Sequence, residues 1–377
     1  MKKTGKRKGV KWALIATVSS VLFMTVLLTA PFVKAWTTSV DTGGDVGQWT
    51  SIATWTDIDV SPAQHYVYIS YIDVTNTNLK FAYEVNGGGW TTETVDNGVN
   101  ACWGTSIFVK AGHIYISYFD DTNADLKYAY KASAGAGSWT KETPDTGGAN
   151  SVGAYSSIAV DSSNGIHISY FNWTSYDLMY VYKASGGSWG TPVTVDSANQ
   201  VGKYTSIATN STNGVHITYH YITGDDLKYA YKPSGGGWTT TTVDSTGQVG
   251  DYNSIVVDGS NHIYISYREG TNTRLKYAYK DSPSAAPTIT IVDDPVSTDV
   301  GMHSSLEVTA TEKYITYYDN TNGDVKLANY YSGSWHITTP TSGGDVGLYG
   351  SCIVNDYLYY SYYDNTNDDC CCSYVSL

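Results

Sequence analysis

Two short patterns place groups with binding or catalytic potential at regular intervals along the 377-residue sequence. One is Val-Gly-x-aromatic. It first reads Val46-Gly47-Gln48-Trp49 and delivers Tyr155, Tyr204, Tyr252 and Tyr349 at equivalent places, with His303 in a sixth copy and Trp103 approximately placed in a second. The other is Asp-x-Thr-Asn-x-Asp. It covers Asp73 to Asn78, Asp120 to Asp125, Asn172 to Asp177, Asp319 to Asp324 and Asp364 to Asp369, with Glu269 at the matching place of a fifth copy. Aromatic faces beside carboxylate and amide acceptors suit the C–H faces and hydroxyls of sugars, and binding groups favour loops on a rigid scaffold. The structural alternative is that Asp and Asn cap their own turns and the rings pack against neighbours. Calcium is a further reading of the acidic loop, but the acid ladder and terminal Glu of an EF-hand are missing. No other cofactor is expected.

A catalytic reading rests on the places where the repeat breaks. These are Tyr219-His220-Tyr221, Arg268-Glu269 and His303, in copies four to six. His, Tyr and Arg converging at one end of the fold would support proton abstraction and charge neutralisation in β-elimination of an acidic polysaccharide. Drift in a repeat array also produces such singletons at no cost, so binding without catalysis is the favoured expectation. His167 and His216 illustrate the point. Other copies carry Tyr68, Tyr115, Tyr264, Tyr314 and Tyr359 there, so the position wants a ring with a polar tip and not a base.

The elements that must position these groups form an internal repeat with a period near 50 residues. Trp36, Trp90, Trp139, Trp189, Trp238 and Trp335 each open a copy, and Pro287 stands for the missing member, giving seven copies. Each copy holds four short runs rich in Val, Ile, Thr and Tyr, separated by Gly, Asn, Asp and Ser, as in WGTPVTVD, YTSIATN, VHITYHY and LKYAYK between 189 and 232. Such runs are strands joined by tight turns. A lone four-stranded sheet leaves two faces and two edges unprotected, so seven of them pack face to face around an axis as a seven-bladed β-propeller. The Trp36 to Asp41 run begins without partners and the chain ends one strand short, so the amino-terminal strand is expected to complete the last blade. Naming the strands a (SIAV-type), b (HISY-type), c (LKYAY-type) and d (Trp-led), an antiparallel meander puts the b–c and d–a turns at one end. The two patterns are therefore neighbours in space.

The wording SIAVDSSNGIHISYFN, then DLMYVYK and Trp189, resembles the repeats of secreted bacterial and archaeal β-propellers, the broad group of propeller lectins and sialidase-like BNR proteins. The likeness spans residues 36–377 and is specific for architecture. A sialidase is disfavoured, because that group grips its substrate carboxylate with three arginines and only Arg268 and Arg274 follow residue 35.

Composition narrows the partners. Lys2, Lys3, Lys6, Arg7, Lys8 and Lys11 precede an uncharged run from Ala13 to Val33 and a Val33-Lys34-Ala35 finish, which reads as a signal peptide, or an uncleaved signal anchor, over residues 1–35. The remainder carries 15 basic and 35 acidic residues, a net charge of −20 that repels phosphate backbones and anionic lipid. Nucleic acid is excluded as a partner on this ground, and a membrane is met only through the anchor. Cys102, Cys352, Cys370, Cys371 and Cys372 are too few and too clumped for a disulfide scaffold and read as small buried apolar residues. Asn172-Trp173-Thr174 and Asn210-Ser211-Thr212 are sequons consistent with a surface position. The sequence therefore points to an exported or cell-surface propeller that binds glycans or cell-surface polysaccharide. A lyase and a protein-binding adhesion scaffold are the alternatives.

Overall fold

The structure is a computed structural model and describes residues 35–100 and 102–377. The expected signal segment lies outside the described residues. Seven four-stranded antiparallel sheets account for the rest, and no helix among the described residues is long and apolar enough to cross a membrane. In blade 1 the meander runs Val46–Asp57, Gln64–Asp73, Asn78–Val85, Thr91–Asp96, from strand a to strand d. Blades 2 to 6 repeat that order. Blade 7 takes strands a to c from Val346–Val354, Tyr357–Asp364 and Asp369–Ser376 and its strand d from Trp36–Asp41, with Trp36 opposite Tyr374 and Asp41 opposite Cys370. The ring is thus closed by pairing of the two chain ends.

Strand a is innermost, and each inner strand packs on the inner strands of both neighbouring blades, Val46–Asp57 against Val346–Val354 included. Hydrophobic cores lie between blades and not within them. Leu227 and Tyr229 of blade 4, for instance, share one core with Ile255, Ile263 and Tyr267 of blade 5. This is why the strands are apolar on both faces.

Three polar devices repeat around the ring. The first is the Ser-Ile dipeptide of strand a, whose hydroxyl accepts a hydrogen bond from the next blade's backbone. Ile107 N–H donates to Ser51 (3.1 Å), Ile158 to Ser106 (3.2 Å), Ile207 to Ser157 (3.2 Å) and Ile255 to Ser206 (3.2 Å). Leu306 donates to Ser254 (3.2 Å), Cys352 to Ser305 (3.0 Å), and Ile52 returns to Ser351 (3.4 Å), so the circuit closes.

The second device joins the Asp that ends strand d to the next blade. Tyr267 Oη donates to Asp244 at 2.8 Å and Lys276 Nζ at 2.7 Å, and Tyr317 and Lys326 meet Asp293 at 2.6 and 2.9 Å. Tyr219 with Lys228 on Asp196, and Tyr71 with Lys80 on Asp41, repeat the arrangement. Burial by itself raises these carboxyls, yet the lysine and tyrosine donors override it and hold Asp41, Asp196 and Asp244 below the ordinary carboxylate value. In blade 7 the lysine position is Cys371 and the aspartate position of the preceding blade is Thr341, so both ions drop out together. Cys352, Cys370, Cys371 and Cys372 are free and buried, and burial pushes the Cys371 thiol up to about 12.

The third device joins the Lys at the end of strand c, the Trp that follows it and a Glu on the preceding blade. Lys183 Nζ meets Glu142 at 2.6 Å while Trp189 Nε1 donates to the same carboxylate at 2.6 Å, and Lys131 and Trp139 meet Glu93 at 2.5 and 3.0 Å.

Candidate functional site

Strand a does not pair regularly along its length. In blade 1 Val46 lies opposite Asp73, Gln48 opposite Ile72 and Ser51 opposite Ser70, so extra residues bulge out at Gly47 and again at Trp49-Thr50. Bulges re-aim side chains and gather near functional sites. The glycine is required here. Its φ is +105°, and a Cβ added to it would lie 2.5 Å from Cys370 Cα of the neighbouring blade.

The second bulge is the more informative. Trp49, Trp103, Tyr155, Tyr204, Tyr252, His303 and Tyr349 all take a left-handed backbone, with φ between 50° and 56°. For bulky residues that conformation costs about 1–3 kcal/mol each and persists only where the surroundings enforce it. The consequence is that seven rings turn out of their sheets and meet. Successive centroid distances are 6.3 Å from Trp49 to Trp103, 5.9 Å to Tyr155, 4.7 Å to Tyr204, 4.7 Å to Tyr252, 4.4 Å to His303 and 4.9 Å to Tyr349. Tyr349 closes on Trp49 at 4.6 Å, and Trp49 also reaches Tyr155 at 6.0 Å and His303 at 6.2 Å. The circle is therefore filled by Trp49, and the rings line an open hollow of about 150 Å³ together with Ser156, Thr205, Asn253 and Ser304.

The floor is uneven. Trp103 is 41% exposed and meets Trp173 edge-on at 5.8 Å, and Trp173 in turn packs on Phe171 and Tyr176. Blades 2 and 3 thus carry an aromatic platform that extends outward from the ring. Blades 4 to 6 carry charge instead. Lys203 Nζ lies 4.7 Å above the Tyr204 ring, His220 Nδ1 lies 3.1 Å from Asp251, and Arg268 donates to Asp299 at 2.8 and 3.2 Å. The register accounts for this clustering, because the x residue of Val-Gly-x-aromatic faces the residue before the loop acid: Lys203 opposite His220 and Asp251 opposite Arg268.

The loop acids lie elsewhere. Asp73, Asp120, Asn172, Glu269, Asp319 and Asp364 are each at most 9% exposed. Asp73 accepts from the Asn76 backbone N–H at 2.9 Å and from its side-chain amide at 2.9 and 3.1 Å, and Asp120, Asp319 and Asp364 repeat the cap with Asn123, Asn322 and Asn367. Asn172 caps Thr174 and Ser175, and Glu269 is taken by Arg274 and Asn272, each at 2.6 Å. These six groups stabilise their own turns and are not presented to a ligand beside the rings. Nor does the loop fit calcium, since amide donors already occupy the carboxylate oxygens; among the described residues no group of three His, Cys, Asp or Glu is placed to hold a metal.

Two further expectations need correction. The sequon residues Asn172 and Asn210 are each 6% exposed and hydrogen-bonded within their turns, so the folded protein does not offer these amides at its surface. Tyr219, one of the residues of the lyase reading, is buried against Asp196 and is not presented at the site, and burial lowers the His303 imidazole below its ordinary value. His220 and Arg268 remain on the charged side of the site.

Lys203, Asp251, Asp299 and Trp173 were not singled out by sequence. Trp173 had a signal, being an aromatic where other loops carry Val, Asp, Ile, Gly or Asn. Inside the channel, Glu307 replaces the Ala159 or Val256 of other inner strands, and burial pushes its carboxyl up to about 8.

No family model and no curated protein matches this sequence. Solved structures do share its fold. The polysaccharide lyase Uly1 superposes with a TM-score of 0.55 over 96% of both chains at 11% identity. Aleuria aurantia lectin in complex with α-methyl-L-fucoside gives 0.52 over 78% of this chain and 95% of the lectin at 12% identity. AofleA from Arthrobotrys oligospora gives 0.51 over 83% and 91% at 13%. The Aleuria lectin is a six-bladed propeller, one blade fewer than this chain. At such identities the likeness establishes the architecture alone.

Proposed function

We propose that the chain is an exported carbohydrate-binding propeller whose ligand lies on the face formed by the aromatic ring, with the Trp103–Trp173 platform stacking on a sugar and Lys203, Asp251 and His220 supplying polar contacts. The observation that carries the reading is the set of seven rings held in a disfavoured backbone conformation and assembled into one surface. Packing alone does not account for Trp103, which remains 41% exposed after the strain has been spent. Fucose-binding lectins among the neighbours of the fold add support to a glycan over a protein ligand. Export rests on the basic and apolar segment before Trp36. A glycan array tests the reading: saturable binding to a defined set of sugars, lost in Trp103→Ala, supports it, and a blank array overturns it.

Polysaccharide β-elimination is the second reading, favoured by one observation. His220 stands against Asp251 with Arg268 in the adjacent blade, an arrangement in which the imidazole would take a proton and the guanidinium would neutralise a uronate carboxylate. Incubation with uronate polymers decides it by the ultraviolet absorbance of unsaturated products. Flat traces remove catalysis and leave binding intact.

A further inference from the structure

The Lys–Glu–Trp device is broken at one place where its two donors survive. Glu93, Glu142 and Val193 occupy one position of strand d, opposite Phe81, Tyr128 and Tyr180 respectively. Between blades 3 and 4 the lysine is Lys232 and the tryptophan Trp238, but the carboxylate has become Val193. Trp238 keeps the pose of its equivalents, edge-on to Tyr180 at 5.0 Å and 74°, against 5.2 Å and 75° for Trp189 on Tyr128 and 5.1 Å and 73° for Trp139 on Phe81. Among the described residues neither the Lys232 ammonium nor the Trp238 indole N–H has a hydrogen-bond or ion-pair partner. Between blades 4 and 5, where Thr241 also lacks the acid, the lysine is satisfied differently: Lys280 Nζ donates to the Ala285 carbonyl at 2.6 Å, and Pro287 replaces the tryptophan.

At Val193 a groove of about 560 Å³ opens, lined by Lys232, Trp238, His167, Tyr182 and Asn213 among others. It lies at the a–b and c–d end of the blades, opposite the aromatic ring. We infer that this groove is a second binding site that takes an exogenous carboxylate, the hexuronate of an acidic polysaccharide, in place of the missing glutamate. Glu142 shows the geometry a carboxylate adopts there, with one oxygen accepting from both Lys183 and Trp189. Tyr182, 37% exposed, and Trp238 offer aromatic surface to the ring of the sugar. The net charge of −20 does not forbid an anion, because charges farther away than about 8–10 Å are largely screened at physiological salt. The one carboxylate that lines the groove, Asp161, is buried and already held by the His167 ring and the Ser163 and Gly165 backbone N–H groups. The carboxylate requirement stands on this geometry alone. Its assignment to a sugar rests on the carbohydrate-binding reading.

The test is titration of the exported protein with a galacturonate trisaccharide, with its methyl ester and with acetate, following the Trp238 indole N–H resonance by NMR. The trisaccharide is expected to shift that resonance saturably. Val193→Glu, which restores the repeat's own carboxylate, is expected to abolish the shift while leaving the melting temperature unchanged or higher. Lys232→Met is expected to weaken binding by at least about tenfold, the loss of one charge-assisted bond. Trp103→Ala should leave it untouched, which separates this site from the aromatic face. An equal response to the methyl ester overturns the carboxylate requirement, and acetate binding as tightly as the trisaccharide overturns the sugar assignment. A silent indole, or binding that survives Val193→Glu, overturns the site itself.

Discussion

A tryptophan or tyrosine seldom takes positive φ, because its Cβ crowds the carbonyl oxygen, and repetition of that strain in seven blades requires a common cause. The bulge supplies it by turning each ring toward the mouth, where the rings support one another. The residues that pay in strain differ from those that meet a ligand: Tyr155 is 6% exposed and structural, whereas Trp103 is open. Trp103→Ala should weaken glycan binding by about tenfold or more, the size of an exposed aromatic anchor, with little change in melting temperature. Trp173→Ala should weaken it likewise while also lowering the melting temperature, since Trp173 packs on Phe171 and Tyr176. Glu307 gives a prediction of opposite kind. Its carboxyl is raised to about 8 when folded against an ordinary 4.5, so the folded state holds the extra proton and stability falls as pH rises from about 4.5 through 8. Glu307→Gln should therefore raise the melting temperature at pH 9 and change it little at pH 4, a difference read by calorimetry at the two values.

At the scale of the strand, the polar devices matter because apolar faces alone do not fix one blade against the next. Each Ser-Ile hydroxyl contributes about 1 kcal/mol, so Ser254→Ala should destabilise by that amount in urea titration. The Asp–Lys–Tyr lock is costlier to break. Asp244 and Lys276 side chains are 2% and 5% exposed, and removing the aspartate leaves Lys276 only the more distant Glu269 at 3.4 Å and Tyr267 without its acceptor, so Asp244→Ala should cost about 3 kcal/mol. The folded values of Asp41, Asp196 and Asp244 lie below the ordinary 3.8, so their stabilisation is present above that value and is lost as pH falls through the depressed range. Acid unfolding of the wild type should fall in that range, and Asp244→Asn should flatten its steepest part.

For the whole molecule the decisive contact is Trp36–Asp41 on Asp369–Ser376, which converts an open stack into a ring with no unpaired end. Deleting residues 36–41 should lower the melting temperature and broaden the transition. Blade count, strand order and closure were legible in sequence, because a repeat written seven times specifies its own neighbours and the surplus strand at one end matches the deficit at the other. The convergence of Trp49, Tyr204 and their equivalents followed from the turn positions alone. The fate of Asp73 and its counterparts did not, since Asp-x-Thr-Asn reads the same whether the carboxylate faces a ligand or the amide three residues on. Lys203 and Asp251 were hidden for another reason: their meeting with His220 and Arg268 depends on a bulge register that no local pattern encodes. The most direct measurement of the central claim is a glycan array probed with the wild-type propeller and with Trp103→Ala. Selective, saturable sugar binding by the first and its loss in the second is the predicted result; no binding by either, or binding indifferent to the substitution, would contradict the placement of a carbohydrate site on the aromatic face.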